Sequence, residues 1–245
     1  MQPFTYEYYK KLLRTCLDQG YTFSYFNDDK KINDVNQKIV ILRHDVDFDP
    51  DKALEMSAIE QQMNIPSTYF FLLNSKFYNI HNTHVYHTIQ NIQSNGHRLG
   101  IHFDEASYEE SNTDLSQFIQ KEIYFFQELF KQPIAVISFH RPTSNVLLNK
   151  INIPIAHTYS ERYAQHMKYL SDSMKQFKEG DLIDIITSGK YQKIQLLIHP
   201  FWWNETVTTS TEDYNNYVTF KNKELQKEIA NNSKIYVYEE DNDRR

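Results

Sequence analysis

The stretch ILRHDVDFDP, residues 41–50, decides the reading of this chain. It opens as a buried strand, continuing the apolar run KIVILR from residue 38, and then crowds His44, Asp45, Asp47 and Asp49 into six positions. Carboxylates packed that closely repel one another, so something neutralises or uses them: a metal ion, a sugar, or the water around a turn. Strand side chains alternate faces, which puts Arg43, Asp45 and Asp47 on one side and His44 and Val46 on the other. Two carboxylates on one face can divide labour, one holding a metal and the other acting as a base. Asp49, directly before Pro50, fits the N-cap of a following helix, DPDKALEMSAIEQQM.

Outward from this strand the pattern repeats. STYFFLL, HRLGIH and IAVISFH read as further strands, separated by the helical stretches NTHVYHTIQNIQSNG and TDLSQFIQKEIYFFQELF. Upstream, Phe4, Tyr8, Leu12, Leu13 and Cys16 recur at helical spacing until Gly20. Downstream, IPIAHTY, KYLSDS, DLIDII and KIQLLIHP read as short strands, TEDYNNYVTFKNKELQKEIANN as a closing helix, and EEDNDRR as a frayed tail. Strands alternating with helices imply an α/β fold with a parallel sheet, and about seven such units make a deformed (β/α) barrel. The expected organisation is a single domain over 1–245: an N-terminal helix and lead-in (1–37), a barrel bearing the motifs (38–203), and a closing helix and tail (204–245).

In such barrels the chemistry sits where strands end. The expected strand ends carry Asp45 and Asp47, then His102, then His140 and Arg141, then Asp172, then His199. His102 shares a strand face with Gly100, which leaves space beside it, and is the preferred metal ligand; His97, at the other end of that strand, is structural. Arg141 presents the fork that matches a carboxylate and is placed to hold the catalytic aspartate ionised, with a structural ion pair as the alternative. His199, at the end of LLIH, suits a general acid. Trp202 and Trp203 either wall a sugar pocket or fill the core. His81, His84 and His87 lie three apart on a helix with no carboxylate among them and read as surface or packing residues.

Composition bounds the remaining choices. At 245 residues and 40% apolar, the chain can bury a sizeable core and is not of the disordered class. A net charge of −6 argues against a nonspecific nucleic-acid partner. One cysteine, Cys16, excludes an internal disulfide and a cysteine-rich zinc site. No run approaches the roughly 20 apolar residues of a membrane span. MQPFTYEYYKKLLRTCLDQG lacks the basic start and apolar run of a secretion signal, so a cytoplasmic location is expected. The sequence carries no signature of oligomeric state.

The order of these motifs, from about residue 38 to 203, resembles the polysaccharide deacetylase family, the NodB-homology or carbohydrate esterase family 4 group. The resemblance implies a deformed barrel and a hydrolase that uses a divalent metal, usually zinc, to remove acyl groups from sugars. RHDVD stands in for the family's aspartate pair with Val46 inserted, as in the more divergent branches, making Asp45 the catalytic base and Asp47 a ligand. GHRLGIH matches the start of the histidine motif and puts His102 on the first histidine ligand. The second falls on Ala106, a departure that leaves Asp104, Glu105, His140 or His44 as substitutes. Arg141 with Pro142 matches the third motif, Asp172 falls in a segment like that of divergent members and is a candidate substrate contact, and His199 matches the general acid. Zinc is the expected ion, with iron, cobalt, nickel or manganese also suited to an aspartate and imidazole set. The implied substrate is an acylated amino sugar, a precursor of surface polysaccharide. Two rival readings stand beside it: a glycosyltransferase using DVD as an Asp-x-Asp motif, and a noncatalytic barrel binding a sugar or protein, which Ala106 favours.

Overall fold

The structure is a computed structural model that describes residues 2–108, 114–148, 150–153 and 155–236. Its contacts divide the chain into two units, Met1–Glu205 and Thr206–Arg245. The first contains, in order, α1 (Tyr6–Asp18), β1 (Tyr21–Ser24), α2 (Asp29–Ile32), β2 (Lys38–Val46), α3 (Pro50–Gln62), β3 (Thr68–Phe71), α4 (Thr83–Ser94), β4 (Arg98–Asp104), α5 (Leu115–Phe130) and β5 (Val136–His140). It continues with α6 (Ser144–Leu147), β6 (Ala156–His157), α7 (Glu161–Ala164), β7 (Lys168–Ser171), α8 (Leu182–Thr187) and β8 (Lys193–Ile198). The second unit holds α9 (Ser210–Asn232), started by a capping box between Thr209 and Glu212. The expected frayed tail, EEDNDRR, lies outside the described residues. No helix among the described residues is long and apolar enough to cross a membrane.

All strands run parallel, in the order β6-β5-β4-β3-β2-β8-β7. β1 is an eighth strand, absent from the sequence reading, that pairs with the first half of β2 while β3 pairs with its second half. The sheet curls, since β2 reaches β5, three strands away, across its interior: Arg43 donates to Ser138. It does not close, because β6 and β7 are its two ends. This is the expected deformed barrel, with a gap on one side.

Both faces of β2 are buried, as its unbroken apolar start requires. Ile39 and Ile41 pack inward with Phe26, Phe70 and Met167 and plug the lower barrel. Val46 packs outward in the layer beneath α3, α4 and α5, with Tyr69, Ile89, Ile101 and Phe126. Asp49 caps α3 as expected, accepting from Asp51 N–H at 3.0 Å.

Two expectations are corrected. DLIDII is helical: Asp181 accepts from the amides of Ile183 and Asp184 and starts α8, and a short apolar run fits helix or strand equally well. Gly100 leaves no room for a ligand beside His102, because a Cβ there would lie 2.5 Å from the Phe70 ring and 3.3 Å from the Val136 carbonyl. The glycine makes way for the core. Gly100→Ala is expected to cost about 1–3 kcal/mol, read as a lower denaturant midpoint with unchanged m-value.

Candidate metal and acid-base site

The C-terminal rim of the barrel gathers three ligand atoms from three strands. β2 runs into Asp47, β4 supplies His102 and β5 ends at His140. His102 Nε2 lies 3.1 Å from Asp47 Oδ1 and His140 Nδ1 lies 3.3 Å from it. The two imidazole nitrogens are 3.2 Å apart. Asp47, His102 and His140 are the one such cluster among the described residues. Of the four residues expected to substitute for Ala106, His140 is the one that joins this cluster, from the neighbouring strand. Strand register brings this about, pairing His102 with Ser138 and Asp104 with His140.

The other three substitutes have separate partners. Asp104 takes Arg141 at 3.0 Å. Glu105 accepts from the Thr143 amide and hydroxyl and anchors the loop after β5. His44 points to the opposite face, as alternation requires. Its Nε2 is 2.7 Å from Glu60 Oε1 and its ring stacks on Tyr69 at 4.2 Å. Burial acts to raise the Glu60 pKa, and adjacent His44 outweighs it and holds the carboxyl below its ordinary range. His97 joins this buried network through Ser67 and is structural, as expected.

The residues fit a divalent ion on their own chemistry. Asp47 Oδ1 is buried and receives no well-aligned hydrogen bond, although two imidazoles face it. A tetrahedral zinc with bonds of about 2.0–2.1 Å spaces its ligand atoms about 3.3–3.4 Å apart, close to the separations here. His102 also has the supported second nitrogen common to metal-bound imidazoles. Its Nδ1 is 2.9 Å from Ser138 Oγ, which in turn donates to both oxygens of Asp45 at 3.2 Å. With the hydroxyl hydrogen on Asp45, Ser138 accepts Nδ1–H, and the lone pair of Nε2 faces Asp47 and His140.

Asp45 is 2% exposed and clasped by Arg43, with Nε donating to Oδ1 at 2.9 Å and Nη2 to Oδ2 at 2.7 Å. Burial would raise its pKa, but the guanidinium overcomes that and holds it below the usual carboxylate range. Arg43 replaces Arg141 as the holder of this aspartate. Arg141 is exposed, takes a left-handed φ of 49°, and pairs with Asp104. Of the two DVD carboxylates, only Asp47 joins the ligand cluster.

His199 follows β8 and is oriented by Asp172, which follows the adjacent β7. Asp172 Oδ1 is 2.6 Å from His199 Nδ1, and the same carboxylate accepts from the His199 amide at 3.0 Å and from Trp203 Nε1 at 2.8 Å. Asp172 is fully buried, so it holds His199 and is not the substrate contact expected of it. Burial alone would lower the His199 pKa, yet Asp172, with Asp47 and Asp45 beyond it, raises it to about 9. Both tryptophans belong to the core alternative. Trp203 is 0% exposed against Phe4 and Tyr9, and Trp202 is 6% exposed against Phe201. The three histidines expected on one helix do not converge: His81 lies before α4 and rests on Phe125, while His84 pairs with Asp51 and His87 bonds Gln90.

No protein-family model and no curated protein matches the sequence. Among solved structures, the chain is similar to BA3943 of Bacillus anthracis, described as a CE4 family pseudoenzyme, at 13% identity and a TM-score of 0.47 over 77% of this chain and 62% of that one. A BA3943 mutant described as having restored enzymatic activity gives the same identity and score, over 64% of its own length. This chain thus spans less than two thirds of either. A family 4 carbohydrate esterase from Bacillus anthracis is similar at 13% identity and a TM-score of 0.43, over 88% of this chain and 86% of that one.

Proposed function

We propose that this chain is a metal-dependent amide hydrolase that removes an acyl group from an amino sugar. The observation that carries this reading is the convergence of Asp47 Oδ1, His102 Nε2 and His140 Nδ1 within 3.3 Å of one another on the barrel rim that also bears Asp45 and the His199–Asp172 pair. Asp47, His102 and His140 would hold the ion, zinc being the best match to one carboxylate and two imidazoles. When bound, such an ion supplies Lewis-acid polarisation of the acyl carbonyl and eases deprotonation of water. Asp45, kept ionised by Arg43, accepts a proton from the attacking water, whose oxygen bonds to the acyl carbon. His199, protonated below about pH 9, gives its proton to the nitrogen as the C–N bond breaks. The products are a carboxylic acid and an amine. Asp45 is spoken for by Arg43, which weighs against the Asp-x-Asp glycosyltransferase reading.

The test is zinc content together with acid release from N-acylated hexosamines. Asp45→Asn is expected to keep stoichiometric zinc and lose about 10²–10⁴-fold in turnover. If zinc affinity instead falls about 10–100-fold alongside activity, Asp45 serves to orient His102 through Ser138. A protein that takes up no zinc at neutral pH sinks the hydrolase reading.

The His199 pair fixes the alkaline limb. Activity is expected to fall as pH rises through about 9, because the acid is then deprotonated. Asp172→Asn removes the charge that raises this pKa, so the limb should move towards the ordinary imidazole value of about 6.5. The sign for stability is the same. The raised pKa stabilises the fold fully below the unfolded value of about 6.5, and that contribution is lost as pH climbs through about 9. A pH–rate profile of Asp172→Asn that superimposes on the wild type removes Asp172 from this role.

A further inference from the structure

The open side of the barrel, between β6 and β7, contains a cavity of about 330 Å³. Its walls come from β7, from Tyr159 just beyond β6, and from the segments that follow β5 and β7. Tyr159, just beyond β6, and Tyr169 of β7 face it, with Phe177 completing a set of three rings. Pro142 and Leu147 bound one side, and Ser173, Gln176 and Leu182 bound the other. Phe177 is braced from behind, stacked on Phe4 at 4.7 Å and Tyr8 at 5.8 Å.

This cavity borders the proposed chemistry at two points. The Tyr159 hydroxyl is 3.5 Å from Arg43 Nη2, and its ring centroid is 5.1 Å from that guanidinium, which holds Asp45. Ser171 and Ser173 flank Asp172, which holds His199. The cavity thus adjoins the two groups, Arg43 and Asp172, that hold Asp45 and His199. Resting on the hydrolase reading, we propose that this cavity is the subsite for the amino-sugar moiety and that it admits one sugar ring, so that the substrate is a monosaccharide unit and not an internal residue of a chain.

Three arguments support this. The volume lies at the bottom of the roughly 300–1,000 Å³ range of small-molecule sites, enough for one ring with its acyl group. The lining pairs aromatic faces, which take the C–H face of a pyranose, with the hydroxyls of Tyr159, Ser171 and Ser173 and the amide of Gln176 for its polar edge. Segments on both flanks, Pro142 to Leu147 and Ser173 to Leu182, bound the space open to the ring.

The test is calorimetric titration of N-acetylglucosamine, N-acetylgalactosamine, N-acetylmannosamine and the linear tetramer of N-acetylglucosamine into metal-free and zinc-loaded protein. At least one monosaccharide is expected to bind, and the tetramer no more than about twofold tighter. Leu147→Trp, at a 55% exposed position, should fill the cavity mouth and weaken that binding tenfold or more while zinc loading and melting temperature stay unchanged. Tyr159→Phe should keep the stacking and weaken binding less than Tyr159→Ala does. A tetramer tenfold tighter than any monosaccharide, no binding of any of the four sugars, or unchanged affinity in Leu147→Trp overturns the subsite. Failure to take up zinc is a separate result that sinks the hydrolase reading and leaves the sugar titration of the metal-free protein to be judged alone.

Discussion

Arg43→Met is expected to destabilise the protein by about 3–5 kcal/mol at pH 8, because it removes one partner of a buried pair and strands the other. Both residues are essentially inaccessible, at 0% and 2% exposure. Arg43 donates two hydrogen bonds to Asp45, one to Gln195 and one to Ser138, so its loss also removes the side-chain links from β2 to Ser138 of β5 and Gln195 of β8. The pH dependence separates the electrostatic part from simple packing. In the wild type the lowered pKa of Asp45 contributes stability that is present above its unfolded value of about 3.9 and lost as pH falls through the folded value. Without Arg43, burial dominates and the folded pKa rises above that of the unfolded chain. The variant then binds a proton on folding, and its stability falls as pH rises through the carboxylate range. Urea unfolding at pH 5 and pH 8 should show Arg43→Met closer to the wild type at the lower pH. Adding Asp45→Asn removes the stranded charge and should recover part of the loss at pH 8. A deficit identical at both pH values assigns the effect to packing alone and overturns the charge argument.

Much of this site follows from alternation along one strand. The rule that places Arg43, Asp45 and Asp47 on a common face also turns His44 away, and the structure has both. Arg43 was legible as the partner of Asp45 for the same reason, since it sits two positions earlier on that face. Motif order drew attention to the more distant Arg141 instead. His140 was only one of four candidates, because its approach to His102 depends on the register between β4 and β5, which side-chain periodicity does not report. The Asp172–His199 pair has the same origin. Each residue ends its own strand, and the pairing of Ser171 with Leu197 sets them side by side. β1, YTFS between Gly20 and the Asn27–Asp29 run, has the Tyr, Thr and Phe of a strand but at four residues is too short for alternation to identify it. Faces within an element come from sequence, then, while contacts between elements need the register of the sheet.

That register makes the sharpest claim about His140. Asp47 and His102 alone provide two ligands, whereas catalytic zinc sites use three protein ligands and an exchangeable position. His140→Ala is therefore expected to weaken zinc binding by more than about 100-fold, beyond the roughly 10–100-fold typical of outer-sphere changes. Its side chain is 23% exposed, so the substitution leaves a solvent-accessible space and should cost little stability. Imidazole in the buffer should enter that space and restore part of the affinity, which loss of a merely structural residue would not allow. Arg141→Ala serves as the control, because its exposed pair with Asp104 contributes no ligand atom. Competition against a chromophoric chelator at pH 7.5 reads all three proteins on one scale. Wild-type affinity in His140→Ala would remove β5 from the metal site. The two remaining ligands would then need a third from the rim, and Asp104, released by Arg141→Ala, would be the residue to test next.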